Sequence, residues 1–205
     1  MRIGTLGNGL MAEALAGQWV KAGHDVMVGG RDPVRAAEVA KRIGAASGSL
    51  SEAAEYGDGV LLAVPADVAV DVAAMVPAGR TVIDCTNALD HRDFTLAHPG
   101  TAEAISRAVP EVQVVKAFNL AAETVWRNPP VGLGVPICGD GGMELVQELV
   151  RDLGCVPVEA GGLRRAKLLE ATAALAIGIW VGGGDVRGMF PRLADAFGAV
   201  LPGQP

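Results

Sequence analysis

Residues 1–35, MRIGTLGNGLMAEALAGQWVKAGHDVMVGGRDPVR, decide how the rest of the chain is read. A short apolar strand, Arg2 to Leu6, enters Gly7-Asn8-Gly9-Leu10-Met11-Ala12. A helical stretch then continues to Ala22, and a second strand, Asp25 to Gly29, ends in Gly30-Arg31. Strand, G-x-G-x-x-A turn, helix and strand in that order and at those lengths are the signature of a dinucleotide-binding βαβ unit. Gly7 permits the tight turn. Gly9 lets the backbone approach a pyrophosphate lying on the positive end of the helix, and Ala12 takes the place where helix packs on strand. A glycine turn alone is weak evidence; the order of elements around it makes it specific.

The end of the second strand chooses between the two nicotinamide dinucleotides. An NAD site places a carboxylate there for the ribose hydroxyls, whereas NADP asks for small residues and a cation beside its 2′-phosphate. This chain offers Gly30-Arg31, with Arg35 one helical turn further on, so two guanidiniums can clamp a phosphate. NADP(H) is the expected cofactor. Asp32 has two readings: a ribose contact, or, preferred here, the N-cap of a helix that starts at Pro33.

The chain has 205 residues, half of them hydrophobic, with twenty-eight glycines and a formal net charge of −6. That length holds one domain with a small appendage, and the composition suits a parallel sheet with tight turns. The acidic balance argues against nucleic acid or an anionic membrane as partner. The first strand starts at the N-terminus with no leader before it, from which a cytoplasmic location is expected. Cys85, Cys138 and Cys155 form no C-x-x-C pair and read as buried free thiols.

Further on, Pro33 to Ile43 reads as a helix closed by Gly44, residues 50–54 as a short capped helix, and GVLLAVP (59–65) as a central strand. Asp67 is expected to cap a helix from Val68 to Val76. Strands at Thr81–Asp84 and Val112–Ala117 alternate with a loop-like segment at 91–100 and a helix at 101–109. After a helix at 121–127 and a proline loop come strands at 135–138 and 155–158 with a helix, Met143 to Leu153, between them. The expected fold is α/β, a doubly wound parallel sheet of Rossmann type over residues 1–160. Residues 161–205 form a helical C-terminal segment: a long helix from Leu163 to Val181, then a last stretch from Asp185 to Val200 broken by Pro191.

The motifs MRIGTLGNGLMA, VGGRDP, LLAVP, IDCTNAL, VVKAFN, VPICGD and VEAGGLRRAKLLE span nearly the whole chain. In combination they resemble the NADPH-dependent reductases of the deazaflavin coenzyme F-420, the F-420:NADP oxidoreductase family. A related fold occurs in the cytosolic domain of STEAP-type metalloreductases. The chain departs from the archaeal members in a shorter glycine turn, in Gly30 where they carry serine, and most of all in its C-terminal helices. The resemblance implies direct hydride transfer between nicotinamide C4 and deazaflavin C5, with coenzyme F-420 as second substrate. It implies no catalytic acid, base or nucleophile; positioning of two rings in a dry cleft carries the rate.

Carried over by position, the resemblance sets Gly7, Asn8, Gly9, Leu10 and Met11 around the pyrophosphate, with Gly30, Arg31 and Arg35 at the 2′-phosphate. Ala63, Val64 and Pro65 follow along the riboses, and Asn87 and Ala88 lie near the nicotinamide. Lys116, Phe118 and Asn119 are placed on the second-substrate side, although Phe118 reads equally as a core residue and Asn119 as a helix cap. Cys138 and Gly139 match a stretch near the deazaflavin. His24 reads as a surface residue, neither His91 nor His98 is assigned a role, and no metal site is expected. The apolar helix from Leu168 to Val181 suggests a homodimer that buries it. Two alternatives stand beside the leading reading. One is an NADPH-dependent reductase of another flavin, imine or ketone, since GNGLMAEAL also resembles the opening of pyrroline-5-carboxylate reductases; the other is a non-catalytic NADP sensor.

Overall fold

The computed structural model describes residues 1–98 and 100–189, together with Asp195. The opening unit forms as its sequence dictates: β1 (Arg2–Leu6), α1 (Leu10–Lys21) and β2 (Asp25–Gly29), with α1 burying Leu15 and Trp19. α2 (Pro33–Ile43) starts at Asp32, whose carboxylate accepts from the Val34 and Arg35 amides, and stops at Gly44 in the left-handed region. The cap reading of Asp32 therefore holds. β3 (Ala46–Gly48) is a three-residue edge strand too short and too polar to show a period. α3 (Leu50–Tyr56) carries a complete capping box, in which Ser49 and Glu52 each accept the other's backbone N–H.

β4 (Gly59–Leu62) is buried along its whole length. It leads into a 3-10 turn at Ala66–Val68 and then a short α4 (Ala69–Ala73), so the expected helix from Val68 to Val76 is only partly formed. Asp67 provides no side-chain cap there. β5 (Thr81–Asp84) follows. The segment expected as loop contains a small hairpin, β6 (Leu89–Asp90) with β7 (Thr95–Leu96). Its turn closes because Asp93 accepts from both the amide and the hydroxyl of Thr95, and because Phe94 enters the left-handed region at φ 57°. α5 (Thr101–Ala108), β8 (Gln113–Lys116), α6 (Glu123–Trp126), β9 (Gly134–Gly139), α7 (Met143–Asp152) and β10 (Val156–Glu159) complete the core. α8 (Ala166–Val181) is the long C-terminal helix. Beyond a 3-10 turn at Val186–Gly188, the last stretch expected to be helical lies mostly outside the described residues.

The main sheet runs β10-β9-β8-β5-β4-β1-β2-β3. From β3 to β8 every pairing is parallel, and β1 and β4 meet where the chain reverses its direction of growth, the switch point of a doubly wound sheet. β9 departs from expectation by pairing antiparallel to β8. Seventeen residues join β8 to β9, but only the four of α6 are α-helical, so no full helix carries the chain across the sheet for a parallel return. β10 then pairs parallel to β9, so both outer strands run against the rest. Alternation along the strands builds two apolar layers. Ile3, Leu61, Ile83 and Val115 pack with α1 and α7, whereas Val60, Leu62, Val82 and Val114 pack with α4, α5 and the start of α8.

One polar cluster crosses the second layer. Lys116 is fully buried, with Nζ 2.9 Å from Asp84 and 3.0 Å from Glu170 of α8. Glu170 also accepts the Gly100, Thr101 and Ala102 amides at the start of α5, and Asp84 accepts the amide and hydroxyl of Thr86. Burial alone lowers the Lys116 pKa, but Asp84 and then Glu170 outweigh it and hold the ammonium above its ordinary value. Removing one member strands the others without a partner. Lys116→Ala is accordingly expected to lose about 3–5 kcal/mol of unfolding free energy in urea titrations, and a loss near that of a surface lysine would contradict this.

Candidate functional site

Two cavities lie in succession along the carboxyl ends of the parallel strands. The first, about 440 Å³, is bounded by Gly7, Asn8 and Gly9 after β1, by Gly30 after β2, and by Ala63, Val64 and Pro65 after β4. Gly7 has φ 120°, and a Cβ there would stand 2.2 Å from the Ala63 carbonyl oxygen, so only glycine makes this turn. A Cβ at Gly30 would meet the Asn8 amide at 2.5 Å, while one at Gly9 would enter open space. Gly9 caps α1 with no side-chain bond, so the first-turn N–H groups are left for a ligand or water. The buried Asn8 Nδ2 has no acceptor among the described residues.

Arg31 and Arg35 stand on one wall of this cavity. Arg2, Arg42 and Arg80 each pair with a carboxylate elsewhere, but these two have no such partner among the described residues. The facing wall is Leu50 together with Val68, Asp71, Val72 and Met75. Those five were not anticipated, because their sequence reads as an ordinary amphipathic helix. An anion with an apolar ring attached fits this lining: free amides and two unpaired guanidiniums at one side, aliphatic side chains at the other. The same observations fit the residues present to a nicotinamide dinucleotide phosphate.

The second cavity, about 380 Å³, is reached by Asn87 after β5 and Asn119 after β8. Its remaining walls are Leu120, Ala121 and Ala122 on one side, and Ala173, Ile177, Trp180 and Val181 of α8 on the other. The two asparagines lock together. Asn87 Nδ2 donates to the Asn119 backbone carbonyl at 2.8 Å, and Asn119 Nδ2 donates to Asn87 Oδ1 at 3.0 Å. This fixes both amide orientations and leaves the buried Asn119 Oδ1 with no donor among the described residues. Asn119 thus forms a pair with Asn87 and does not cap α6, whose N-cap is Ala122.

Other expected residues lie elsewhere. Leu10 is exposed, and Met11 packs on the core; neither lines either cavity. Ala88 is buried beside the hairpin. Lys116 belongs to the buried ion cluster rather than to a substrate wall. Phe118, at φ 62°, turns inward and stacks edge-on between Trp19 and Trp126 at centroid distances of 5.7 and 5.4 Å, bordering only a void of about 70 Å³. Cys138 is fully buried. A Cβ on Gly139 would press against Val115 and Met143, which places that residue inside the packing. The reversal of β9 explains both: it carries 138–139 down along β8, away from the crevice.

The thiols behave as expected. All three are buried and free, and burial, reinforced by the Asp84 carboxylate, pushes Cys85 up to about 12. His91 and His98 are exposed, but His24 is tied to Asp152 at 2.8 Å rather than loose at the surface. Among the described residues there is no group of side chains that could hold a metal ion, and no helix long and apolar enough to cross a membrane.

Residues 2–88 match the family model "NADP oxidoreductase coenzyme F420-dependent". The rat metalloreductase STEAP3 is 29% identical over 176 residues, which are 83% of this chain and 36% of that protein; the chain thus spans about a third of that relative's length. Among solved structures, hypothetical protein SMa0349 from Sinorhizobium meliloti is 29% identical, with a TM-score of 0.70 over 81% of this chain and 86% of that one. A protein from Arthrobacter sp. FB24 assigned as an F420-dependent NADP-reductase shares the fold with a TM-score of 0.78 at 22% identity, covering 89% and 95%. An imine reductase from Aspergillus terreus, solved with NADPH4, shares it with a TM-score of 0.69 at 19% identity, covering 88% and 63%. The resemblance read from the sequence is borne out as a resemblance by the family model over residues 2–88 and by the STEAP3 similarity, and the fold by the solved structures.

Proposed function

We propose that this chain transfers hydride between NADP(H) and the deazaflavin coenzyme F-420. The observation that carries the reading is the succession of a cationic, glycine-cradled cavity and an apolar, amide-floored one along a single strand edge. Arg31 and Arg35 hold the 2′-phosphate, and the α1 amides hold the pyrophosphate above Gly7 and Gly9. Ala63 to Pro65 guide the riboses toward Asn87, at the border of the second cavity. NADPH bound in this way supplies a hydride from its nicotinamide C4. The chain's own contribution is position: Ile177, Trp180 and Val181 give the ring end an apolar wall, and the Asn87–Asn119 pair gives it a rigid floor. No proton donor or nucleophile of the chain is required, in keeping with two cavities whose only ionisable lining residues among the described ones are Arg31, Arg35 and Asp71.

NADPH oxidation is measured with coenzyme F-420, FMN and FAD in parallel, and turnover is expected with F-420. Turnover only with a flavin, or with an added imine or ketone, would reassign the second substrate. Saturable NADPH binding without oxidation by any acceptor would make the chain a sensor. Arg31→Ala is expected to weaken NADPH binding about ten- to a hundredfold, as for loss of a charge-assisted contact, with little change for NADH. Equal losses for both cofactors would move the phosphate clamp elsewhere. α8 exposes Leu168 and Leu175, two turns apart on an outer face suited to a second copy of the chain. Light scattering should return a dimer mass, and a monomer at micromolar concentration would refute this contact.

A further inference from the structure

The second cavity has two halves that come from distant parts of the sequence, and the buried ion cluster links the elements that carry them. Its inner wall is the Asn87–Asn119 pair, carried on the turns that follow β5 and β8. Its outer wall is the last two turns of α8. Asp84 and Lys116 are the final residues of β5 and β8, only three positions before Asn87 and Asn119. Lys116 Nζ donates to the Thr86 carbonyl, and Asp84 holds the same residue by its amide and hydroxyl, at 2.8 and 2.7 Å. Glu170, on the α8 segment that enters the core, reaches Lys116 from the other side at 3.0 Å.

We propose that Glu170, acting through Lys116 and Asp84, is a positioning residue for the second cavity. It sets the Asn87–Asn119 pair in register with the α8 wall, so that the acceptor ring is held at a fixed place against the nicotinamide end of the first cavity. The proposal rests on the two-cavity reading of the reaction. Three features single out this cluster from an ordinary buried ion pair. Its ligands satisfy one another almost completely: Glu170 takes three backbone amides and one ammonium, and Asp84 takes two donors from Thr86 and the same ammonium. It joins the strand ends that carry Asn87 and Asn119 to the helix that forms the opposite wall of the second cavity, while none of its side chains lines the first. The asparagine pair it supports keeps a buried acceptor without a donor among the described residues, an arrangement that costs stability and so points to binding rather than folding.

The test uses the full chain as wild type, Glu170→Gln and Thr86→Val, the last cutting the cluster at its opposite end by removing only the hydroxyl. Two quantities are read: amide hydrogen exchange by mass spectrometry, and NADPH affinity beside the acceptor KM with F-420. Both variants should speed exchange at residues 85–88 and 117–119 and leave 7–12 and 29–31 as in wild type. The acceptor KM should rise about tenfold while NADPH affinity stays unchanged. Exchange that rises over the whole chain or only within α8 would overturn the proposal. So would an unchanged KM beside loosened turns, or NADPH affinity falling together with the KM. If Glu170→Gln does not fold, Thr86→Val decides by the same readings. If wild type turns over no acceptor, the proposed reaction fails, and the exchange pattern alone decides whether the cluster couples the two walls.

Discussion

A lysine ammonium buried beside two carboxylates is the constraint on which this fold turns. Isolated in an apolar layer, Lys116 would cost far more than a typical hydrogen bond returns, so its neighbours must supply charge and donors in full. They come from four elements: Asp84 from β5, Thr86 from the turn beyond it, Glu170 from α8, and, through Glu170, the amides of α5. Satisfying one cation therefore fixes how the C-terminal helix seats on the sheet. Leu163, Ala166 and Leu169 of the same segment join the second apolar layer, so seating by charge and seating by packing agree.

The first cavity is organised differently, by backbone rather than by side chains. Gly7 and Gly30 bring β1, β2 and the end of β4 closer than any Cβ allows, and what remains at the surface is amide N–H and unpaired guanidinium. Its polarity is thus largely built into the main chain. The second cavity owes its shape to side chains that meet only after the whole chain has folded. A binding groove with one half prescribed locally and the other assembled globally keeps a constant cofactor end while its other end is free to vary with sequence.

This difference explains what could be read in advance. β1, α1, β2, the Asp32 cap and the Gly44 stop are local events written in neighbouring residues, and β4 announced itself by unbroken apolarity. β3 has three small or polar residues and no period to detect. The direction of β9 goes with a connection in which only the four residues of α6 are helical, where the sequence reads as a helix over 121–127. Lys116 was legible as a residue near a strand end, but not as an inward-facing one, and Phe118 was left between the core and a substrate wall. The first is explained by Glu170, far along the chain, and the second by a left-handed backbone that swings the ring between two tryptophans. Leu50, Val68, Val72 and Met75 escaped because an apolar helix face looks the same whether it meets a core or a ligand.

The reversal of β9 and β10 has a consequence for the field inside the crevice. Because those strands run backwards, the chain leaves them away from the crevice and α8 climbs toward it, ending its last turn at Trp180 and Val181 in the second cavity. α1 points the other way, with its N-terminus at the first cavity. The groove consequently lies between the positive end of one helix dipole and the negative end of another, and α8 has no basic residue in its last turn to blunt the latter. A group that becomes more positive at the second cavity meets the favourable end of this gradient and one that becomes more negative the unfavourable end, while phosphate at the first cavity lies at a positive helix end. The axis of the groove is thus polarised by helix direction alone, before any charged side chain is counted.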